Sequence, residues 1–273
     1  MSNDRRIFDK QFCFESYGVT IRIESNRTDL LRVAEKTVRK ALVGNLQPIE
    51  NQESEHVLRV GHSRDGKYTF RDGDEPEFSL GKKLKDLVRY LNTIVRFKVA
   101  EFAVDHVFVH AGVVGWNGKA IVLPADSYHG KTTLTAELVK NGATYYSDDF
   151  AIFDTDGMVH PFARPLSVRY EHLKGIPTDV HVESIGGTAG TEPLPVGLVL
   201  LTQYRENARW KPKFLSPGEG MIELITQTIP IRYAPEFSID VLKKVTARAR
   251  IAKSYRNDAK EFAKKLLEFV DTN

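Results

Sequence analysis

Between Ala120 and Lys140 the chain reads A-I-V-L-P-A-D-S-Y-H-G-K-T-T-L-T-A-E-L-V-K. The run Ala120-Ile121-Val122-Leu123 is short, apolar and partly β-branched, which predicts a buried strand. Leu134, Leu138 and Val139 recur at helical spacing and Asn141-Gly142 closes the pattern, which predicts a helix over 132–140. A buried strand feeding a helix through a tight loop commits this part of the chain to an α/β layer. The loop ends in Gly130-Lys131-Thr132. The first backbone N–H groups of a helix have no partner within it, the helix dipole adds partial positive charge, and a lysine adds a full one. The expectation is an anion site of the polyphosphate class. The pattern G-x-x-x-x-G-K-[ST] is kept in its second half only, since Ala125 stands in place of the first glycine.

Two further features flank this segment. Asp148-Asp149 follows the short run Ala143-Thr144-Tyr145-Tyr146. Acids at a strand end near a phosphate loop can hold magnesium and accept a proton from an attacking hydroxyl. Adjacent carboxylates on a strand point to opposite faces, so two different roles are expected. An isolated acidic pair can equally be a solvated turn. His110 ends the apolar run Val107-Phe108-Val109, either as a site residue or as a strand histidine satisfied in the core. Further on, His160-Pro161-Phe162-Ala163-Arg164-Pro165-Leu166-Ser167-Val168-Arg169 places two arginines in a proline-restricted segment. The planar fork of arginine suits phosphate oxygens, which makes Arg169 and, less strongly, Arg164 candidates for a clamp.

In the order and spacing of His110, the loop Ala125 to Thr132 and the pair Asp148-Asp149, the chain resembles the catalytic domain of the HPr kinase/phosphorylase family, bacterial enzymes that phosphorylate a serine of the phosphocarrier HPr. The resemblance covers roughly Val107 to Arg169. It implies an α/β class with a P-loop-containing HPr kinase/phosphoenolpyruvate carboxykinase-like core over residues 102–273, beside a smaller N-terminal α+β domain over 1–101. It implies ATP and Mg as donor and metal. The nucleotide would be held by Ala125, Asp126, Ser127, Tyr128, His129, Gly130, Lys131, Thr132, Thr133 and Arg169. Lys131 would take the β- and γ-phosphates, Thr132 would ligate magnesium, and Asp149 would support the metal. Asp148 would be the general base, with His110 close to the reacting groups. The implied activity is γ-phosphoryl transfer to a hydroxyl, a serine of a peptide or protein. A chain that binds nucleotide and regulates or interacts without catalysis is the alternative, and a phosphorylase acting on inorganic phosphate or pyrophosphate is a third possibility.

The chain departs from the family at several places. Tyr128 and His129 are bulky where the family's loop is rich in glycine, Ser167 stands where the family has a glutamate two residues before the arginine, and Glu171 is the nearest replacement carboxylate. The segment that grips HPr has no counterpart. A divergent relative is therefore expected, with a different acceptor. The family's ring-like oligomers make a homo-oligomer one expected assembly.

Composition bounds the remaining classes. With 273 residues the chain has ample length for a core, and 41% hydrophobic and 27% charged residues are ordinary for a globular protein. A net charge of +3 is too mild to argue for a nucleic-acid partner. The single cysteine, Cys13, excludes an internal disulfide framework and a multi-cysteine metal site. No apolar run spans a membrane and the N-terminus has no apolar signal core, so the expected compartment is the cytoplasm.

The N-terminal part predicts a hairpin around Tyr17-Gly18, a helix over 29–43, a second hairpin around Arg64-Asp65-Gly66 and an amphipathic helix over 82–101. After it, Val107 to His110 and Gly112 to Val114 are predicted strands, and Asn117-Gly118 is a two-residue hairpin turn leading into Lys119 to Leu123. Val196 to Leu201 is a buried strand. Gly186 to Thr191 reads as a flexible loop, either a ligand-closing lid or a linker. Ser216-Pro217-Gly218-Glu219 starts a helix, and 238–252 and 258–270 are predicted helical.

Overall fold

A computed structural model describes residues 7–50, 54–124, 130–169 and 177–272. It is a mixed α/β protein with mixed sheets. The chain divides into two compact units, residues 1–104 and 105–273. No helix among the described residues is long and apolar enough to cross a membrane.

The first unit is a sheet backed by two helices. Strands β1 (Lys10–Ser16) and β2 (Val19–Ser25) form the hairpin expected around Tyr17-Gly18. Val19, Ile21 and Ile23 are buried while the residues between them are only partly covered, the period-2 pattern of a sheet with one face in a core. From β2 the chain runs through α1 (Thr28–Ala41) to β4 (His56–His62), which lies parallel to β2; a parallel neighbour requires such a crossover. A two-residue strand, β3 (Gln47–Pro48), lies on the outer edge of β1, and β5 (Tyr68–Asp72) and β6 (Phe78–Gly81) continue the sheet beyond β4. Helix α2 (Leu84–Phe102) buries Leu87, Leu91 and Val95 of the stripe Leu84, Leu87, Val88, Leu91 and Val95 that its periodicity predicts, and Val99 beyond it, while Leu84 is exposed. Cys13 is a buried free thiol.

The second unit is organised around one long strand. β7 (His106–Trp116) is continuous where two strands were expected. Asn117 and Gly118, at φ 48° and 73°, turn it into β8 (Lys119–Pro124), the backbone that a two-residue primed turn requires. Two strands, β9 (Thr144–Ser147) and β10 (Phe150–Asp154), lie end to end along β7 and antiparallel to it. β11 (Met158–His160) pairs with β10 and also with β14 (Leu194–Tyr204), and β14 runs parallel to β8. The path β7-β8-β14-β11-β10 therefore returns to β7, closing the sheet on itself. A small hairpin of β12 (Leu166–Arg169) and β13 (Pro177–Val180) stands apart from this sheet.

Helices cover the sheet. α3 (Lys131–Lys140) follows β8 and packs with α6 (Ala259–Thr272) over Leu123, Leu198, Leu200 and Ala252. α4 (Pro217–Ile225) and α5 (Pro235–Arg248) belong to the core that takes in Val122, Val199 and Ile251. Ser216 caps α4 by the reciprocal bonds with Glu219 that its sequence predicts.

Two expectations are corrected. The helix expected over 238–252 is α5, which ends at Arg248; Arg250–Arg256 is instead β16, a strand parallel to β14 and paired on its other side with β15 (Lys213–Phe214). Burying Ile251 and Ala252 between strands outweighs the helical reading of a run with no Gly or Pro to mark the change. The segment 186–191 is not a loop free to close. Tyr145 N–H donates to Thr188 carbonyl at 2.8 Å and Gly190 N–H to Tyr145 carbonyl at 2.8 Å, so these residues extend the edge of β9. Backbone groups satisfied in this way are lost if the segment lifts.

Candidate active site

The break between β9 and β10 is where Asp148 and Asp149 sit. They lie in a bend and not within a strand as expected. Each carboxylate nonetheless has its own partners. Asp148 is buried, 8% exposed. Its Oδ2 accepts the Thr132 hydroxyl at 3.0 Å and the Ser167 backbone N–H at 3.1 Å. Its Oδ1 lies 3.2 Å from the Tyr145 hydroxyl. Asp149 pairs with Arg164, whose guanidinium nitrogen stands 3.2 Å from Oδ2.

Tyr145 is the hidden part of this cluster. Its ring is fully buried and its hydroxyl also lies 2.8 Å from the Arg164 carbonyl. One hydroxyl proton serves both contacts. Burial, with the Asp148 charge beside it, pushes the Tyr145 phenol well above its usual range, so it stays protonated. Arg164 is itself largely buried, and desolvation lowers its pKa; a guanidinium nevertheless remains charged at neutral pH.

His110 and Lys131 come from facing elements. His110 sits in β7, whose backbone N–H there donates to Gln227 carbonyl at 2.8 Å. Lys131 opens α3, and its ammonium lies 3.1 Å from His110 Nε2. This contact is a hydrogen bond only with Nε2 unprotonated, which puts the ring proton on Nδ1. The close seating of α3 on β7 makes it possible: a Cβ on Gly112 would stand 2.6 Å from Thr135 Oγ1, too near for any side chain. Gly130 precedes Lys131 at φ 78°, a left-handed conformation that glycine adopts freely.

His110, Lys131, Thr132 and Asp148 are thus joined in pairs, and Asp149 neighbours them through Arg164. Thr133 is exposed, one residue further along α3. Ala125, Asp126, Ser127, Tyr128 and His129 lie outside the described residues, as does Glu171. Arg169 is described for its backbone, paired with Pro177 in the β12–β13 hairpin.

The donor set can be tested against the ions that the pattern implies. Among the described residues no three His, Cys, Asp or Glu side chains come together as a metal cage. The Thr132 hydroxyl and the Asp148 carboxylate, 3.0 Å apart, are hard oxygen donors of the kind that magnesium uses sparingly, keeping water and phosphate for its other positions. The carboxylate beside Thr132 is Asp148 and not Asp149, which faces Arg164.

Sequence reasoning missed Tyr145, the Ser167 N–H and Arg256. Tyr145 was read only as part of an apolar strand. Ser167 was noted for its side chain, whereas its backbone does the work. Arg256 ends a strand whose first three residues were read as helix and whose remainder was assigned no element. Compared with protein-family models and with curated proteins, the sequence matches none.

Proposed function

We propose that this chain is an HPr-kinase-like phosphotransferase that carries the γ-phosphoryl group of ATP to a hydroxyl, most simply that of a serine in a peptide or protein. The reading takes β8, the loop after it and α3 as a phosphate-binding core of the HPr kinase/phosphoenolpyruvate carboxykinase kind. One observation carries it: four residues singled out by spacing alone, His110, Lys131, Thr132 and Asp148, come from β7, α3 and the β9–β10 break and stand in hydrogen-bonding pairs.

In this reading Lys131 turns from His110 to the β- and γ-phosphate oxygens, and the N–H groups at the start of α3 share that load. Thr132 and Asp148 Oδ2 would hold magnesium, which supplies charge neutralisation between the phosphates. Asp148 Oδ1, with Tyr145 as its contact, takes the hydroxyl proton while the new oxygen–phosphorus bond forms and the bond to the ADP oxygen breaks. The Ser167 N–H and Tyr145 keep the carboxylate oriented. Asp149 acts at one remove, by fixing Arg164.

Calorimetry with ATP and magnesium on the folded wild type and on Lys131→Ala tests the phosphate site; micromolar binding lost in the variant is the expected result. Slow ATP turnover that disappears in Asp148→Asn, with binding retained, identifies the enzyme. A folded wild type that binds no ATP overturns the reading. A second reading, a nucleotide-binding regulator without catalysis, draws on the engagement of both carboxylates by protein donors and on Ala125 in the loop. Binding without turnover in the presence of hydroxyl peptides would select it.

A further inference from the structure

β8, β14 and β16 run parallel, so their carboxyl ends, Pro124, Tyr204 and Arg256, come to one edge of the sheet. Ligands of α/β proteins gather at such edges. Arg256 is only 3% exposed there. One terminal nitrogen donates to the Gly130 carbonyl at 3.2 Å and the other to the Asn257 carbonyl at 3.0 Å. Its Nε is buried without a hydrogen-bond partner among the described residues. The Tyr204 ring lies against it, 5.8 Å from centroid to guanidinium carbon. The nearest acid in sequence, Asp258, caps α6 by accepting the Lys260 N–H at 2.8 Å. Among the described residues, the hydrogen bonds of Arg256 reach backbone carbonyls and no carboxylate.

Burying a guanidinium is expensive, and desolvation accordingly lowers the pKa of Arg256, offset only in part by the charge of Asp258. Its place adds to the cost. It touches Gly130, the cap of α3, so it sits at the positive end of a helix dipole with Lys131 one residue further on. Guanidinium and helix start both bring positive charge to Gly130. Thr202, whose buried hydroxyl has no hydrogen-bond partner among the described residues, lines one small void together with Gly130, Lys131 and Arg256. The contact is also tight: a Cβ on Gly130 would stand 2.6 Å from the Arg256 guanidinium. Like charges assembled this closely are favourable once an anion lies among them.

We propose that Arg256 is a positioning residue of the anion site at the start of α3: it fixes the Gly130 carbonyl, and with it the first turn of the helix, and its buried charge strengthens the hold on a polyphosphate. The proposal rests on the reading of that helix start as a phosphate site. Arg256 would act on every polyphosphate alike, whatever the base or the acceptor, because its contacts are with the cradle.

Calorimetry of the full chain with inorganic pyrophosphate and with ATP, each with magnesium, tests this on wild type, Arg256→Met, Arg256→Lys and Lys131→Ala, with thermal unfolding of each without ligand. Arg256→Met is expected to weaken both ligands about tenfold or more, the worth of a charge-assisted contact. Arg256→Lys, which keeps the charge but cannot span two carbonyls, is expected to recover part of the loss. A merely structural role would lower the unfolding temperature and leave the affinity of the folded protein as it was. If Arg256→Met does not fold, Arg256→Lys decides: wild-type affinity for both ligands overturns the proposal. Loss of binding in Lys131→Ala with wild-type affinity in the Arg256 variants overturns the proposal and leaves the phosphate site standing. A wild type that binds neither ligand removes both.

Discussion

In residues 1–104 acids and bases meet in pairs: Glu24 takes Arg22 at 2.9 Å and Arg59 at 2.6 Å within the sheet, and Asp72 of β5 takes Lys98 of α2 at 2.7 Å. The buried Arg96 donates to the Asn92 carbonyl of its own helix. In residues 105–273 polar groups are drawn inward around the start of α3. Lys131 rests on a neutral imidazole nitrogen and Arg256 on carbonyls. Charges that pair with one another in this way ask for no further partner. A buried set left out of balance is retained at a cost, and perturbed groups of this kind mark functional sites. The difference supports the proposal that the chemistry belongs to the second unit.

The largest expected effects fall on the unbalanced set. Asp148→Asn keeps the shape and loses the proton acceptor, so turnover should drop by about 10²- to 10⁴-fold, the range for loss of a general base, with ATP affinity changed far less. Steady-state rates against calorimetric affinity separate the two quantities. A parallel loss of affinity would instead make Asp148 part of the binding site alone. Lys131→Ala should abolish measurable binding.

Next comes a lesion in the first unit. Phe14 is fully buried, so Phe14→Ala should destabilise by about 3–5 kcal/mol through lost burial and a cavity. Urea unfolding measures this, and the folded fraction should bind ATP as the wild type does. Impaired binding by folded Phe14→Ala would break the comparison, because the first unit would then contribute to the ligand site.

Tyr145→Phe comes after these. It removes one buried hydroxyl from between the Arg164 carbonyl and Asp148 and should cost about 1–3 kcal/mol, as unsatisfied buried partners do. It should also lower turnover through Asp148. Stability loss with unchanged turnover would confine Tyr145 to the core.

What was legible in the sequence follows the range of the interactions. The hairpins at Tyr17-Gly18 and Asn117-Gly118 and the stripe of α2 are local, set by backbone angle and by period, and the chain states them directly. Gly130-Lys131-Thr132 and Asp148 are visible as a spaced pattern of residue types. Arg256 is not, because its role depends on β16 lying parallel to β14, a pairing across some fifty residues. Its own stretch, Arg250 to Arg256, alternates too poorly to announce a strand. Ser167 escaped for a different reason: an N–H carries no residue identity, and only the turn after Arg164 brings it to Asp148. The glycines at 186–190 suggested freedom, whereas backbone bonding to Tyr145 holds them.

The smallest expected effect sharpens the comparison from inside the second unit. Asp154 ends β10, four residues along from Phe150, which faces His110 across the sheet. Its Oδ1 accepts the N–H groups of Asp156 and Met158, each at 2.9 Å, and its Oδ2 meets His160 Nε2 at 2.9 Å. Burial alone would raise its pKa, but the His160 bond and the two amide bonds prevail and hold it below the ordinary 3.8. A carboxyl with a depressed folded pKa contributes stability above its unfolded value, and the contribution is lost as pH falls through the folded one. Asp154→Asn keeps an acceptor for the amides and removes the charge. It should cost about 1 kcal/mol near pH 7, and the difference should shrink once the pH drops below about 4. Urea unfolding of both proteins at pH 7 and pH 3 measures it. An equal loss at both values would trace the effect to packing instead of charge. ATP affinity should not change, since this acid, like Glu24 and Asp72, already has its partners; a loss of affinity would extend the chemistry of the second unit well beyond the start of α3.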